Sequence, residues 1–101
     1  AKMITKAPIR VIDLSLLELH NSRTFWDIGA CTGSVSIEAR RQYPHLNIQA
    51  LEVREECKDI IRANARLHSA PGIDLHIGNF LNLPIAENAI VDAVFIGGHA
   101  N

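Results

Sequence analysis

Short apolar runs alternate along this chain with longer stretches in which apolar residues recur three or four apart. That pattern predicts the order helix, strand, helix, strand, helix, strand, strand. Ile9, Ile12, Leu16 and Leu19 repeat at helical spacing up to about His20. Thr5-Lys6-Ala7-Pro8 ahead of them reads as a cap and first turn, where the missing N–H of Pro8 costs no intrahelical bond. Residues 24–28 are the first strand, and 34–43 form a helix that Pro44 stops. A second strand is expected over 47–51. A helix follows from Arg54 to about His68, with Cys57, Ile60, Ile61, Ala65 and Leu67 on or near its inward stripe. Residues 74–77 make the third strand and 91–96 the fourth. The fourth is a near-continuous apolar run ending in Gly97-Gly98, the pattern of a parallel strand covered on both faces.

Strands alternating with helices imply an α/β fold, a parallel sheet with right-handed crossovers and flanking helices. All strand carboxyl ends then share one edge, where open α/β sheets bind their ligands. This sequence brings to that edge the turn 29–33, Glu52, Gly78-Asn79-Phe80 and Gly97-Gly98.

The first of these turns is the most informative. Gly29 and Gly33 permit φ > 0 and leave room where a Cβ would intrude. The helix start at Ser34-Val35-Ser36 aims N–H groups and the positive end of its dipole into the same space, which suits anionic or polar oxygens. The dinucleotide pattern G-x-G-x-x-G fails, because Cys31 and Ser34 stand where its second and third glycines belong. The phosphate-binding pattern G-x-x-x-x-G-K-[ST] is also absent. Glu52, closing the second strand, is placed to accept hydrogen bonds from both hydroxyls of a ribose; the competing reading is a solvated carboxylate capping the next helix. Asn79 suits either an adenine amine or a plain turn.

At 101 residues the chain makes one small domain, of which folding buries roughly 60–65% of the unfolded surface. A net charge of −1 leaves no electrostatic footprint for nucleic acid, and Arg40-Arg41 reads as the solvated end of a helix. No apolar run approaches the ~18–20 residues of a membrane span, and no signal-peptide pattern opens the sequence. Cys31 and Cys57 form no C-x-x-C pair, so a cytoplasmic protein with free thiols is expected. The histidines show no metal spacing, and no Ser-His-Asp set is visible.

With these residues in place, the chain resembles the class I S-adenosylmethionine-dependent methyltransferases, which have a Rossmann-like fold. Asp27-Ile28-Gly29-Ala30-Cys31-Thr32-Gly33 is similar to that family's D-x-G-x-G-x-G donor loop, and Glu52 stands at its ribose-binding acid. Ile4-Thr5-Lys6, Trp26-Asp27-Ile28-Gly29, Gly33-Ser34-Val35-Ser36-Ile37-Glu38 and Ala93-Val94-Phe95-Ile96-Gly97-Gly98 resemble the precorrin-6Y methyltransferase branch of cobalamin synthesis. The resemblance implies methyl transfer from S-adenosylmethionine to a ring carbon of a corrin precursor, with decarboxylation of an acetate side chain. It implies donor contacts at Thr5, Asp27, Gly29, Ala30, Cys31, Thr32, Gly33, Glu52, Asn79 and Phe80. Gly97, Gly98 and His99 become candidates for the substrate side, with His99 steadying a carboxylate or moving a proton. A threonine at position 5 also reads as a simple helix N-cap.

Two departures and a question of length accompany the resemblance. Cys31 replaces the middle glycine of the loop, either as a packed small residue or as a reactive thiol near a helix N-terminus. Asn79 stands where the family carries an acid. The family's sheet continues past the fourth strand, so this chain is expected to be a fragment, truncated after that strand, with strand four as an apolar edge. The expected partners are a small tetrapyrrole and either a second copy or further polypeptide, with no nucleic acid and no membrane. Two alternative readings are a methyltransferase for RNA or protein and a non-catalytic donor-binding or assembly unit.

Overall fold

The computed structural model describes residues 17–79 and 91–97. Within them, β1 (Thr24–Ile28), β2 (Asn47–Glu52), β3 (Ile73–Ile77) and β4 (Ala93–Ile96) form one sheet in the order β3-β2-β1-β4, every neighbouring pair parallel. Helix α1 (Ser34–Gln42) joins β1 to β2, and α2 (Cys57–Leu67) joins β2 to β3. The register sets Phe25 beside Ile48 and Ala93, and Ile48 beside Ile73. Side chains two apart on a strand share a face, so Phe25, Ile48, Ala50 and Ala93 all lie on one side of the sheet.

Both helices pack on that side. Ala39 of α1 joins Leu19, Phe25, Leu46, Ile48 and Ala93 in one buried cluster, while Cys57 and Ile61 of α2 join Ala30 and Ala50 in another. Phe25, Ile48 and Ile61 are almost wholly buried. Each such side chain contributes about 1.5–3 kcal/mol of transfer free energy, an upper estimate because the unfolded chain already buries some surface. The opposite face is polar over β2 and β3, where Gln49 donates to Asn47 and Asp74 and meets the ring of His76.

Several expectations shift at their edges. The helix expected up to about His20 does not reach it: Glu18 adopts a left-handed conformation, with φ 54°, and a 3-10 turn, Leu19–Asn21, follows. Such a φ cannot continue an α-helix. The earlier part of that helix lies outside the described residues. Helix α2 starts at Cys57 rather than Arg54, because the Cys57 and Lys58 N–H groups bond three residues back, to Arg54 and Glu55. In β4, Ala93 is buried, whereas Val94 is 40% and Ile96 75% exposed. Among the described residues this strand is therefore covered on one face rather than two, and β1 is its one sheet neighbour.

Candidate functional site

The carboxyl ends of the four strands meet around the 29–33 turn. The N–H groups of Gly29 and Ala30 both donate to the Leu51 carbonyl, at 2.8 and 3.1 Å, which ties the turn to the end of β2. Gly33 N–H closes the turn onto the Ala30 carbonyl at 2.8 Å. Gly29, Cys31 and Gly33 all have positive φ, at 76°, 57° and 83°. The two glycines take this conformation without cost, but at Cys31 it carries strain on the order of 1–2 kcal/mol.

Gly97 closes the turn from the other side. Its N–H donates to the Ile28 carbonyl at 2.8 Å, and a Cβ on it would stand 2.7 Å from the Gly29 carbonyl oxygen. Gly33 is limited by α2 in a similar way, since a Cβ there would lie 3.0 Å from Cγ2 of Ile61. Gly78 has φ 127° with open space where a Cβ would be, and its N–H donates to the Glu52 carbonyl. Asn79 follows it, exposed, at the end of β3.

Asp27 lies beneath the turn with 1% exposure. Its Oδ2 accepts from the Ser36 N–H at 3.1 Å and from the Ser36 hydroxyl at 2.6 Å. Gly33, the N-cap of α1, has no side chain to cap with, so Asp27 fulfils that role from inside the sheet. Burial pushes the Asp27 carboxyl up to about 6, against the pull of the Ser36 hydrogen bonds. Asp27 thus supports the loop through the Ser36 contacts of its Oδ2.

Glu52 ends β2 at the rim of the turn, 3% exposed. Its Oε1 accepts the Cys31 N–H at 2.8 Å; its Oε2 accepts the Arg54 main-chain N–H and Nε, each at 3.1 Å. Burial works to raise the Glu52 carboxyl, and these hydrogen bonds outweigh it, holding the group below its ordinary value. Nη2 of Arg54 also lies 3.2 Å from the Cys31 sulfur. Burial and the nearby Glu52 charge push the Cys31 thiol up, so the reactive-thiol reading is not supported: the group is a neutral, half-buried thiol at neutral pH. Cys57 is likewise free, and buried.

The structure therefore brings Asp27, Gly29, Ala30, Cys31, Thr32, Gly33, Glu52 and Gly97 together, with Asn79 beyond the end of β3. Thr5, Phe80, Gly98 and His99 lie outside the described residues. Sequence reasoning missed three partners. Ser36 and Arg54 carried no signal of their own. Asn64 did: it sits seven residues after Cys57 and three after Ile61, a polar residue on the apolar stripe of α2. Its amide donates to the Thr32 carbonyl at 3.0 Å.

A broad groove lies at the far end of the strands, between Arg40, Leu46, Leu67 and Pro71. The Arg40 guanidinium there donates to the carbonyls of Pro44, Pro71 and Gly72, so it ties two connections together, away from the glycine turn. Among the described residues, no group of three or more His, Cys, Asp or Glu is arranged to hold a metal, and no helix is long and apolar enough to cross a membrane.

A parallel α/β sheet with a glycine turn after β1 and an acid ending β2 defines a Rossmann-like class of ligand-binding domain. The precorrin methyltransferase domain family matches residues 1–101, and the chain belongs to that family. It is 38% identical over 95 residues to the cobalt-precorrin-6B C(15)-methyltransferase (decarboxylating) of Salmonella typhimurium, covering 94% of this chain and 48% of that protein. The crystal structure of precorrin-6y C5,15-methyltransferase from Geobacter metallireducens superposes with a TM-score of 0.81 at 38% identity, over 96% of this chain and 51% of that one. The O-methyltransferase TomG of Streptomyces achromogenes, solved in complex with SAM, shares the fold with a TM-score of 0.76 at 21% identity, over 93% of this chain and 45% of that one. The chain spans about half the length of these relatives.

Proposed function

We propose that this chain is the donor-binding portion of an S-adenosylmethionine-dependent C-methyltransferase. Its substrate is a corrin precursor of the precorrin-6 type, methylated with decarboxylation of an acetate side chain in cobalamin biosynthesis. The observation that carries this reading is the 2.8 Å contact between the Cys31 N–H and Glu52 Oε1, which sets an ionised carboxylate against a glycine turn at a helix start. The names of the relatives from Salmonella typhimurium and Geobacter metallireducens support the substrate class.

The residues fit an adenosyl ligand. The Gly29–Gly97 approach keeps side chains out of the crevice, Gly78 leaves open space beside the end of β2, and Glu52 offers acceptor oxygens to a ribose. When bound, the donor would supply an electrophilic methyl group from its sulfonium, the S–CH3 bond breaking so that the sulfur leaves as the neutral thioether of S-adenosylhomocysteine. The turn 29–33 and Glu52 bind and orient the nucleoside, and orientation of this kind is worth roughly 7–11 kcal/mol of barrier. The packing of Gly97 against the turn supports a substrate side at the end of β4, for which Gly98 and His99, next in the sequence, stay candidates from the resemblance alone. The exposed Val94 and Ile96 support a covered β4 in the working enzyme, either by a second copy or within a longer cytoplasmic polypeptide.

Calorimetric titration with S-adenosylmethionine, S-adenosylhomocysteine and NAD tests the reading. Both adenosyl compounds should bind and NAD should not. Glu52→Gln should weaken S-adenosylhomocysteine at least tenfold, the scale of a lost charge-assisted hydrogen bond. Unchanged affinity in that variant removes Glu52 from the site.

A further inference from the structure

A carboxylate offers about four acceptor positions, and on Glu52 three are occupied: one on Oε1 by the Cys31 N–H, two on Oε2 by the Arg54 N–H and Nε. A ribose diol brings two O–H donors, so one present donor must leave before both hydroxyls can bond. The Cys31 and Arg54 main-chain N–H groups are held by the loop and by the start of the turn into α2. The remaining donor, Nε, is on a flexible side chain that is 45% exposed.

We propose that the Arg54 side chain is a built-in competitor at the ligand site that stands in for one hydroxyl of the donor's ribose, bonded to Glu52 Oε2 in the free protein and displaced when a vicinal diol binds. The inference rests on the reading of the turn as an adenosyl site and adds to it a competitor built into the chain. A ligand with the diol replaces the lost hydrogen bond and has something to gain by displacing Arg54. A ligand without it does not.

Cys31 takes part in the same arrangement. Its sulfur lies 3.2 Å from Nη2 of Arg54 and holds the guanidinium over the loop when the carboxylate is engaged. A glycine at position 31, as in the D-x-G-x-G-x-G pattern, has no such atom. The departure of Cys31 from that pattern and the parked Arg54 are thus one structural feature.

The test is titration of the 101-residue chain and its Arg54→Ala and Arg54→Met variants with S-adenosylhomocysteine and with 2′,3′-dideoxyadenosine. Arg54→Met keeps most of the aliphatic stem, so a packing loss in the alanine variant is separated from loss of the guanidinium. Both variants should bind S-adenosylhomocysteine roughly two- to fivefold more tightly than the parent, the size of a half-exposed ion pair. Dideoxyadenosine should bind all three alike. The gap for S-adenosylhomocysteine should narrow at about 0.5 M salt, which screens the pair in the parent alone. If binding depends on Glu52 but both variants bind S-adenosylhomocysteine equally or more weakly, Arg54 is a positioning residue and the stand-in role is wrong. If the parent binds no adenosyl ligand and Glu52→Gln changes nothing, the site reading falls and this inference with it.

Discussion

Gly97 and Gly29 meet backbone to backbone, so close that a Cβ on Gly97 would stand 2.7 Å from the Gly29 carbonyl oxygen. The contact joins the end of β4 to the start of the glycine turn across 68 residues of sequence. Its immediate consequence is that position 97 tolerates no side chain unless the turn moves. Gly97→Ala should destabilise the fold by about 1–3 kcal/mol, the usual cost of overpacking against an atom that cannot rotate away. It should also weaken S-adenosylhomocysteine binding, since the turn must shift. Urea denaturation beside calorimetric titration checks both effects.

Asp27 should leave a signature in the pH dependence of stability. Its carboxyl is raised from 3.8 to about 6 by burial, so the folded state binds its proton more tightly than the unfolded state does. The sign follows: Asp27 favours folding at low pH, and that contribution is lost as pH rises from about 4 to about 6. A shift of this size corresponds to something on the order of 3 kcal/mol. Glu52, held low, acts in the opposite sense, contributing stability that is lost as pH falls through its folded value. Asp27→Asn keeps an acceptor for Ser36 and should remove the loss between pH 4 and 6. Denaturant unfolding across that range measures it.

Cys31→Gly should make the chain no less stable, and up to about 1 kcal/mol more stable. Cys31 has φ 57°, a conformation open to glycine without penalty. The relief opposes the greater entropy of glycine in the unfolded chain and the loss of the sulfur contact with Arg54. Thermal unfolding of the variant reads the balance. A clear fall in stability would show that the sulfur contact outweighs the backbone strain.

Arg40 separates fold from site. It bridges the carbonyls of Pro44, Pro71 and Gly72 at the end of the sheet opposite the glycine turn. Arg40→Ala should cost about 1–2 kcal/mol: three hydrogen bonds are lost, and the cost stays modest because the exposed carbonyls regain water. Affinity for S-adenosylhomocysteine, measured by calorimetry on the folded variant, should stay unchanged.

Strand and helix order, the parallel sheet, the glycine turn and the acid ending β2 are legible in the sequence because each depends on local chemistry. Short apolar runs and period-3.6 patterns reflect what buried strands and helices need locally, and a turn that needs positive φ selects glycine. The left-handed conformation of Glu18, which stops the first predicted helix, breaks no apolar pattern and so left no local sign. The order β3-β2-β1-β4 decided the rest. It placed Gly97 against Gly29, set Asp27 under Ser36 as a cap supplied from the sheet, and engaged both oxygens of Glu52 with Cys31 and Arg54. Those contacts depend on distances between segments far apart in the chain, or on where a turn aims a side chain. Neither is encoded in residue type or spacing, so they exist only once burial of Phe25, Ile48 and Ile61 has brought the strands and helices together.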